Sequence, residues 1–367
     1  MYKSNEKKNI AVFVKNLTSG GAEKQAVLLA KALQYDYRVC FVIFHADKVH
    51  QKYLDMLNEC PEVETVKLYG SKISRFIQLI RLVRSKRIEA IFSYLTVASL
   101  LGSVVCKLCG VKGNFPGIRG AYLPKNKART AKFFTNNLAT QTVINSVSGK
   151  EYFVNYGCKP EKLAVILNCF ENVAPFHTKE QNDIIQYITV GRFMPQKDYL
   201  TAIRTMNHLK RKGQVFRYTI VGYGIEEQHI REWIKKYELE NEIRILINPD
   251  NIPELLEGAD VYLCTSLYEG TSNAILEAMN ANLPIVATDV GDNYLLVEKG
   301  KNGYLTQTGD YQGLGDSLMR LNDHQMRLAM GRESKRILTE NYSMGAFKTN
   351  YLNLLERHGI NTIKEKQ

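Results

Sequence analysis

Residues 261–279 read VYLCTSLYEGTSNAILEAM, and this stretch does most to decide the fold. Its first four residues form an apolar run typical of a buried strand, and a helix is predicted from Ser272 onward. A strand, a short polar turn and a helix expose unpaired amides at the helix N-terminus, where anions bind. Glu269 lies just before this helix, and Glu277 lies near the end of its second turn. Carboxylates so close to an anion site indicate that a ligand rich in hydroxyl groups, such as a sugar, binds there.

The rest of the chain alternates apolar strand patterns with helix patterns. In the first part, strands are predicted at 10–14, 39–44, 63–68 and 90–94, and helices at 21–33, 74–87 and 97–108. A composition shift at 172–183 predicts a linker, after which strands are predicted at 185–190, 218–221, 243–247, 261–264 and 285–287. This alternation predicts parallel sheets covered on both faces. We therefore expect an α/β protein of two Rossmann-like domains facing a central cleft, with ligands beyond the carboxyl ends of the strands.

Four further motifs accompany the opening stretch. They are Gly20-Gly21-Ala22-Glu23-Lys24, Val190-Gly191-Arg192-Phe193 with Gln196-Lys197-Asp198, Val221-Gly222-Tyr223-Gly224, and Asn302-Gly303-Tyr304-Leu305. Together the five motifs resemble, in order and spacing, the retaining nucleotide-sugar glycosyltransferases of family four (glycosyl transferases group 1), which have the GT-B fold. The resemblance spans residues 10–345. It implies an acceptor domain at 1–172, a nucleotide-sugar domain at 183–345, and a C-terminal helix within 346–367 that crosses back to the first domain.

The donor site is predicted partly from the residues and partly from the resemblance. Two cations five residues apart in one turn, Arg192 and Lys197, can clamp a diphosphate and neutralise it as a leaving group. The resemblance implies that both bind the donor phosphates and that Glu277 binds the ribose hydroxyls. It also implies that the donor lies against backbone or side-chain groups of Gly20, Gly21, Gly222, Gly270, Thr271, Ser272, Asn273 and Ala274.

The catalytic residues expected from this resemblance are Glu269, Arg192 and Lys197. Retention of configuration could use Glu269 as a nucleophile, as in retaining glycosidases. The family is generally thought to act by attack on the same face instead, with the leaving phosphate assisting deprotonation of the acceptor. We favour the second route, with Glu269 as orienting and electrostatic support, and the sequence leaves both open.

The chain departs from the family pattern in the first domain. Many relatives have a histidine in a loop near the donor sugar, whereas this chain has Arg119 about there, within a loop predicted at 115–122. No general base is therefore evident in that domain. We expect Arg119 and Tyr122 to contact the sugar or the acceptor.

The positive charge is concentrated in the first half of the chain. The whole chain carries a net charge of +12, and between Lys67 and Lys132 fourteen Lys and Arg residues accompany one acid, Glu89. Such a surface attracts anionic lipid headgroups, nucleic acid or another polyanion. The alternative function is therefore a nucleic-acid-binding or polyanion-binding protein without catalysis. We do not expect nucleic acid to be a partner, because no aromatic platform or recognition-helix motif accompanies the charge.

The remaining expectations concern cofactors and location. The seven cysteines are scattered, and only Cys106 and Cys109 form a pair, so we expect no metal site. We expect no cofactor, since the nucleotide-sugar, taken to be a UDP-sugar, is a substrate. The expected acceptor is a glycan or a polyprenyl-diphosphate-linked saccharide. Residues 90–106 lack charge but are too short and polar for a membrane span, so we expect a cytoplasmic protein bound peripherally to the cytoplasmic face of an anionic membrane.

Overall fold

Two parallel β-sheets covered by helices account for the part of the chain that the structure describes. The computed structural model describes residues 7–18, 20–120 and 122–362. The chain divides into two units: the first comprises the chain up to Glu171 together with the chain from Met344 onward, and the second runs from Asn172 to Ser343. The predicted α/β class is confirmed. Residues 363–367 of the predicted C-terminal segment lie outside the described residues.

Within the described residues, the first unit contains a seven-stranded sheet. Its strands are β1 (Asn9–Val14), β2 (Arg38–Ile43), β3 (Val63–Lys67), β4 (Ala90–Tyr94), β5 (Gly113–Ile118), β6 (Thr142–Ile144) and β7 (Leu163–Val165). Their order is β3-β2-β1-β4-β5-β6-β7, and every pairing is parallel. The helices between them are α1 (Gly21–Leu33), α2 (Gln51–Asn58), α3 (Lys72–Ser85), α4 (Thr96–Cys109), α5 (Lys125–Asn137) and α6 (Val147–Asn155).

The second unit contains a six-stranded parallel sheet, counted over its described residues. Its strands are β8 (Ile185–Val190), β9 (Phe216–Gly222), β10 (Ile243–Ile247), β11 (Val261–Cys264), β12 (Ile285–Thr288) and β13 (Gly303–Thr306), in the order β10-β9-β8-β11-β12-β13. Its helices are α7 (Tyr199–Arg211), α8 (Glu227–Lys236), α9 (Ile252–Glu257), α10 (Asn273–Asn280), α11 (Asn293–Leu296), α12 (Tyr311–Arg320) and α13 (His324–Tyr342).

The central strand β1 shows why the first sheet is covered on both faces. Successive side chains of a strand point to opposite faces, and all five residues from Ile10 to Val14 are buried. Ile10 and Val12 pack into the core that also contains α1 residues, while Ala11 and Phe13 pack into the core beneath α3 and α4. Both faces are therefore apolar, as the continuous run of Ile, Ala, Val and Phe predicts.

The last helix of the described chain, α14 (Met344–Arg357), packs within the first unit. Its buried residues Phe347, Tyr351 and Leu354 join the core beside α1. Just after it, the carbonyl oxygen of Ile360 accepts a 2.6 Å hydrogen bond from the hydroxyl of Tyr37. Apolar burial and this buried hydrogen bond attach the C-terminal helix to the first unit.

Strand β5 and helix α5 are among the elements that were not predicted from the sequence. The predicted loop at 115–122 is wrong in its first part, because β5 (Gly113–Ile118) is a fully buried strand; Ala121 of that loop lies outside the described residues. Its composition, Gly-Asn-Phe-Pro-Gly-Ile, is poor in strand formers, and burial between β4 and β6 overrides that local preference. Helix α5 was missed because its residues KNKARTAKFFTNN have a weak apolar pattern.

Two lysines cap the C-terminal ends of helices in the second unit. The Nζ atom of Lys179, in the predicted linker, donates hydrogen bonds to the carbonyl oxygens of Leu256, Glu257 and Ala259 at 3.1, 2.8 and 2.9 Å. The Nζ atom of Lys335 bonds the carbonyl oxygen of Asn280 at the end of α10. These carbonyls carry the negative end of each helix dipole. Burial nevertheless lowers the pKa of both lysines to about 8.

We predict that these lysines make the second unit more stable as the pH rises from about 8 to about 10. Over that interval the folded lysines lose protons that the unfolded chain still holds, so the free energy of unfolding rises by about 1 kcal/mol per pH unit for each lysine. Lys335→Met should remove the contribution of Lys335 to this rise in unfolding free energy. Urea unfolding followed by fluorescence of Trp233, the single tryptophan, measures this in the second unit.

The exposed Lys236→Met is the matched control for this measurement. It should leave the slope of unfolding free energy against pH unchanged. A slope equal in wild type and Lys335→Met would show that Lys335 keeps an ordinary pKa.

No described helix is long and apolar enough to cross a lipid bilayer. The uncharged residues 90–106 instead form β4 and most of α4. Strand β4 is fully buried, and α4 buries one side within the first unit.

Candidate active site

Two loops meet at the carboxyl edge of the second sheet. One follows β8 and contains residues 191–198, and the other follows β11 and contains residues 265–272. Strands β8 and β11 are neighbours in the sheet although β9 and β10 separate them along the chain, so the two loops begin side by side. Ligands bind at such a switch point in open parallel sheets. Three of the predicted residues, Arg192, Lys197 and Glu269, lie in these loops.

Hydrogen bonds hold the two loops together. The amide of Leu267 donates to the carbonyl oxygen of Gln196 at 2.8 Å, and the Gln196 side-chain amide donates to the carbonyl oxygen of Tyr268 at 2.7 Å. The hydroxyl of Thr265 donates to the carbonyl oxygen of Lys197 at 2.8 Å. The backbone that carries Lys197 is therefore fixed relative to the backbone that carries Glu269.

An ion pair joins the loops at the centre of the site. The Nζ atom of Lys197 lies 2.5 Å from Oε1 of Glu269, with the two side chains 18% and 10% exposed. The hydroxyl of Ser266 donates to the same carboxylate oxygen at 2.8 Å. Burial disfavours the charged form of Lys197, but the neighbouring carboxylate outweighs it and raises the pKa of the lysine. The site therefore holds a fixed positive and a fixed negative charge in contact.

Arg192 adds a cation beside this pair. Its side chain is exposed, and it lies near enough to Lys197 to oppose protonation of that lysine. Within the described part of the chain, its guanidinium forms neither a hydrogen bond nor an ion pair. Because its charge is not neutralised by the protein, Arg192 is available to an anionic ligand.

The predicted helix begins at Asn273, directly after the second loop. Ser272 is the N-cap residue of α10, yet its side chain makes no capping hydrogen bond. Gly270 and Thr271 precede it in the turn, and Ala274 lies in the first turn of the helix. The positive end of the helix dipole is thus placed at the same sheet edge as Arg192 and Lys197, without a capping side chain from Ser272.

Glu277 lies in the second turn of α10 and is half-buried. It is eight positions after Glu269, so the two carboxylates flank the turn and the first helical residues. The structure places Glu277 on the same helix whose N-terminus is the expected anion site. The binding of ribose hydroxyls by Glu277 stays a prediction.

Two glycines permit close backbone contacts around the loops. A Cβ atom on Gly222, at the end of β9, would overlap the carbonyl oxygen of Gly191. Gly291 has φ +55° and would direct a Cβ into the carbonyl oxygen of Glu269. Gly222 was predicted from its motif. Gly291 was not among the predicted site residues, and its support of Glu269, like that of Ser266, depends on contacts that sequence spacing does not reveal.

The first unit contains the other predicted donor residues. Gly20 is the N-cap of α1, and Gly21 is the first residue of that helix. The Glu23 carboxylate folds back against Gly20 and accepts a 3.1 Å hydrogen bond from the hydroxyl of Thr18. A carboxylate therefore already occupies the positive end of α1. Binding of the donor by Gly20 and Gly21 stays a prediction.

Arg119 lies at the end of β5 against two tyrosines. Its guanidinium lies 4.2 Å from the ring centroid of Tyr94 and donates a 2.9 Å hydrogen bond to the hydroxyl of Tyr351 on α14. Its Nε and Nη1 atoms are buried and have no hydrogen-bond partner among the described residues. These contacts give Arg119 a structural role in holding α14. Its predicted contact with sugar or acceptor stays a prediction.

Tyr122 lies near Arg119 in sequence and is 54% exposed. Its ring meets that of Tyr152 edge to face, with centroids 4.9 Å apart, and Tyr152 stacks with Tyr156. Tyr152 and Tyr156 are half-buried, so Tyr122 is the exposed end of this row of rings. An exposed aromatic ring can pack against the apolar face of a sugar. Among the described residues, there is no cluster of His, Cys, Asp and Glu side chains arranged to hold a metal ion.

This chain is similar in sequence and in fold to known proteins. Residues 172–337 match the family model of glycosyl transferases group 1, and this range contains both loops of the site. A putative colanic acid biosynthesis glycosyltransferase, WcaL of Salmonella typhimurium, is 30% identical over 54% of this chain and 52% of its own length. The chain thus aligns with about half of that relative.

Two further relatives extend over more of the chain. A UDP-Gal:α-D-GlcNAc-diphosphoundecaprenol α-1,3-galactosyltransferase of Escherichia coli is 22% identical over 78% of each protein. The crystal structure of Anabaena HepE in complex with UDP superimposes with a TM-score of 0.80, at 19% identity, over 95% of this chain and all of HepE. HepE has also been solved with UDP-glucose.

These matches confirm the resemblance predicted from the motifs. The chain has the GT-B fold, and in sequence it resembles the GT-B glycosyltransferases of family four. Its relatives are glycosyltransferases, among them ones named for polysaccharide biosynthesis and for a lipid-linked saccharide.

We predict strong coupling between Lys197 and Glu269 in a double-mutant cycle of unfolding free energy. Lys197→Met or Glu269→Gln alone should destabilise the second unit by about 3 kcal/mol, because each disrupts a buried pair. The double variant should lose less than the sum, by about 2 kcal/mol. Urea unfolding followed by Trp233 fluorescence reports these values for the second unit.

The ion pair of Lys210 and Glu242 provides the matched control cycle. Its partners lie 3.0 Å apart but are 41% and 20% exposed, so a coupling below about 1 kcal/mol is expected. Equal coupling in the two cycles would contradict the special strength assigned to the buried pair.

Proposed function

We propose that this protein is a retaining glycosyltransferase that moves a hexose from a UDP-sugar to a glycan or lipid-linked saccharide. The observation that carries the proposal is the convergence of Arg192, Lys197 and the N-terminus of α10 beside Glu269. These groups offer positive charge for a diphosphate next to a carboxylate for a sugar. The family match over residues 172–337 and the names of the relatives support the same activity.

The diphosphate is the part of the donor for which the site is best equipped. Arg192 presents a guanidinium that no described residue neutralises, and Lys197 can share its three N–H donors between Glu269 and a phosphate oxygen. The amides at the start of α10 add partial positive charge. Lys197 is held in place before the reaction by Glu269, and Arg192 lies beside it. Both cations stabilise the charge that develops on the diphosphate as it leaves.

The carboxylates are assigned to the hydroxyl groups of the donor. Glu277 accepts hydrogen bonds from the ribose, since one carboxylate can accept from two neighbouring hydroxyls. Glu269 lies on the sugar side of the diphosphate and orients the ring. The two carboxylates on either side of the α10 N-terminus thus bind the two sugars of the donor.

Same-face attack is the route that the environment of Glu269 supports better. Its Oε1 atom is already engaged by Lys197 and Ser266, which lowers the nucleophilicity of that oxygen. In the proposed step, the bond between the anomeric carbon and the diphosphate oxygen breaks, and the acceptor hydroxyl oxygen bonds to the same face of that carbon. The hydroxyl proton passes to the departing diphosphate. Configuration is retained without a covalent intermediate, and no metal ion is assigned a step.

The relatives support UDP as the nucleotide of the donor and a lipid-linked saccharide as the acceptor. HepE was solved with UDP and UDP-glucose, and the Escherichia coli relative is named for transfer from UDP-Gal to a diphosphoundecaprenol-linked sugar. A reaction of this kind would take place at the cytoplasmic face of a membrane, where nucleotide-sugars and the lipid carrier meet. The expected partners are therefore a nucleotide-sugar and a polyprenyl-diphosphate-linked saccharide.

We predict that Arg192→Gln weakens UDP binding by about tenfold to a hundredfold, because a charge-assisted hydrogen bond is lost. Its unfolding free energy should stay near that of the wild type, since Arg192 makes no polar contact within the described chain. Isothermal titration calorimetry with UDP measures the affinity.

Arg211→Gln removes the same charge from the far end of α7 and is the control. Its affinity for UDP should equal that of the wild type. Equal affinities for all three proteins would remove Arg192 from the donor site, and failure of the wild type to bind any nucleoside diphosphate would contradict the proposed function.

We predict that Glu269→Gln lowers turnover by at least about a hundredfold, as loss of a positioned electrostatic group does. The assay supplies UDP-, GDP- and ADP-sugars with and without polyprenyl-diphosphate-linked saccharides and measures release of nucleoside diphosphate. The exposed Glu254→Gln on α9 is the control and should keep full turnover.

The anomeric configuration of the product, read by NMR, tests retention. An inverted product would exclude the proposed route.

A further inference from the structure

We infer that helices α3, α4 and α5 form a docking surface for an anionic lipid bilayer. We call their exposed side the basic face. Its exposed cations include Lys72, Arg81, Arg84, Lys125, Lys127 and Arg129. This inference does not rest on the proposed function, because membrane binding can be measured without a sugar donor.

The charge of the basic face is of one sign. Helix α3 contains four Lys or Arg residues, α4 one and α5 four, and none of the three contains Asp or Glu. On the opposite face of the same sheet, α1 and α2 carry both signs, with Glu23 and Asp55 among lysines. The helices that carry positive charge without any acid therefore lie on one side of this sheet.

The three helices are neighbours on one side of the sheet. Helix α3 packs beside α4, and α4 packs beside α5. Three cations of this region serve the fold: Lys86 pairs with Glu64 at 2.6 Å, Arg75 bonds the ring of His45, and Arg119 holds Tyr351. The exposed cations named above form no ion pair with any described residue. Their charge is consequently available to a partner.

Apolar side chains on α3 are exposed beside these cations. Ile73 and Ile77 are 74% and 43% exposed. They continue at helical spacing into Arg81 and Arg84, so one side of α3 runs from isoleucine to arginine. Elsewhere on the basic face, Leu108 and Phe133 are 53% and 52% exposed. Exposed isoleucine next to arginine is the pattern of a helix that lies in a membrane interface.

The combination of exposed cations and exposed aliphatic side chains on the basic face favours a bilayer over nucleic acid as the partner. Proteins that bind single-stranded nucleic acid place aromatic rings against the bases, and those that bind duplexes rely on contacts with phosphates and base edges. The aliphatic side chains Ile73, Ile77 and Leu108 gain nothing from a phosphate backbone. A bilayer offers anionic headgroups to the arginines and acyl chains to the isoleucines at the same time.

The orientation of α3 brings the acceptor edge near the lipid. Helices α3, α4 and α5 each begin after the carboxyl end of a strand, and Ile73 lies in the first turn of α3. Arg119 and Tyr122, the residues predicted to contact the acceptor, follow the carboxyl end of β5 at this same edge of the sheet. Docking through the basic face would therefore hold that edge close to a lipid-linked saccharide.

Co-sedimentation of the full chain with lipid vesicles tests the inference. The wild type should bind phosphatidylcholine vesicles that contain about one third phosphatidylglycerol and should not bind pure phosphatidylcholine. Binding should weaken in high salt. Arg81→Gln with Arg84→Gln should lower the partition coefficient about fivefold per charge, and Ile73→Ser with Ile77→Ser about tenfold in total.

Control variants test whether vesicle binding depends on the basic face rather than on any exposed charge or apolar side chain. Lys235→Gln with Lys236→Gln removes two exposed charges from α8, and Val215→Ser removes a side chain that is 66% exposed before β9. Both should bind vesicles like the wild type, and thermal melting should confirm that every variant is folded.

Three outcomes would overturn the inference. The first is equal binding of the wild type to neutral and anionic vesicles, or to neither. The second is an equal loss of binding in the control variants. The third is that the protein binds duplex DNA as well as vesicles, and that the two isoleucine substitutions change neither affinity. That result would indicate a surface that binds any polyanion.

Discussion

The contact between Lys197 and Glu269 is the interaction on which the candidate active site depends. The two residues are separated by 72 positions in sequence, yet their side chains meet within 2.5 Å because β8 and β11 are adjacent strands. Burying two charges is costly, and well-packed apolar residues of similar size would often give a more stable protein. A buried pair at a ligand-binding edge therefore indicates function more than stability.

The surrounding structure maintains this pair in one geometry. Hydrogen bonds from Leu267 and Thr265 fix one loop to the other. Gly291 lets the chain after β12 pack against the backbone of Glu269. Arg192 is exposed and forms no ion pair with a described residue, and the N-terminus of α10 lies at the same sheet edge. The protein thus presents positive charge beside a fixed carboxylate.

Much of the fold could be predicted because its strands are continuous apolar runs. Strands β8 and β11 and helix α1 were predicted with their observed limits. Strand β5 could not be predicted from composition, since Pro116 and two glycines favour a turn locally and only burial between neighbouring strands makes the segment extended. Local propensity fails where tertiary packing decides the conformation.

The site could be predicted in its parts but not in its contacts. The motifs identified Arg192, Lys197 and Glu269, because their residue types and spacing fit a charged ligand. Sequence spacing could not reveal that Lys197 meets Glu269 or that Ser266 supports the same carboxylate. It also could not show that Arg119 folds onto Tyr94 and Tyr351, since those contacts depend on where the C-terminal helix packs.

Hydrogen–deuterium exchange with and without UDP tests the central claim most directly. If the second unit binds the diphosphate as proposed, UDP should slow exchange of backbone amides at 191–198 and at 270–276, while α8 and α13 stay unchanged. Slowed exchange confined to the start of α1, or no change in either loop at saturating UDP, would contradict the placement of the donor at the carboxyl edge of the second sheet.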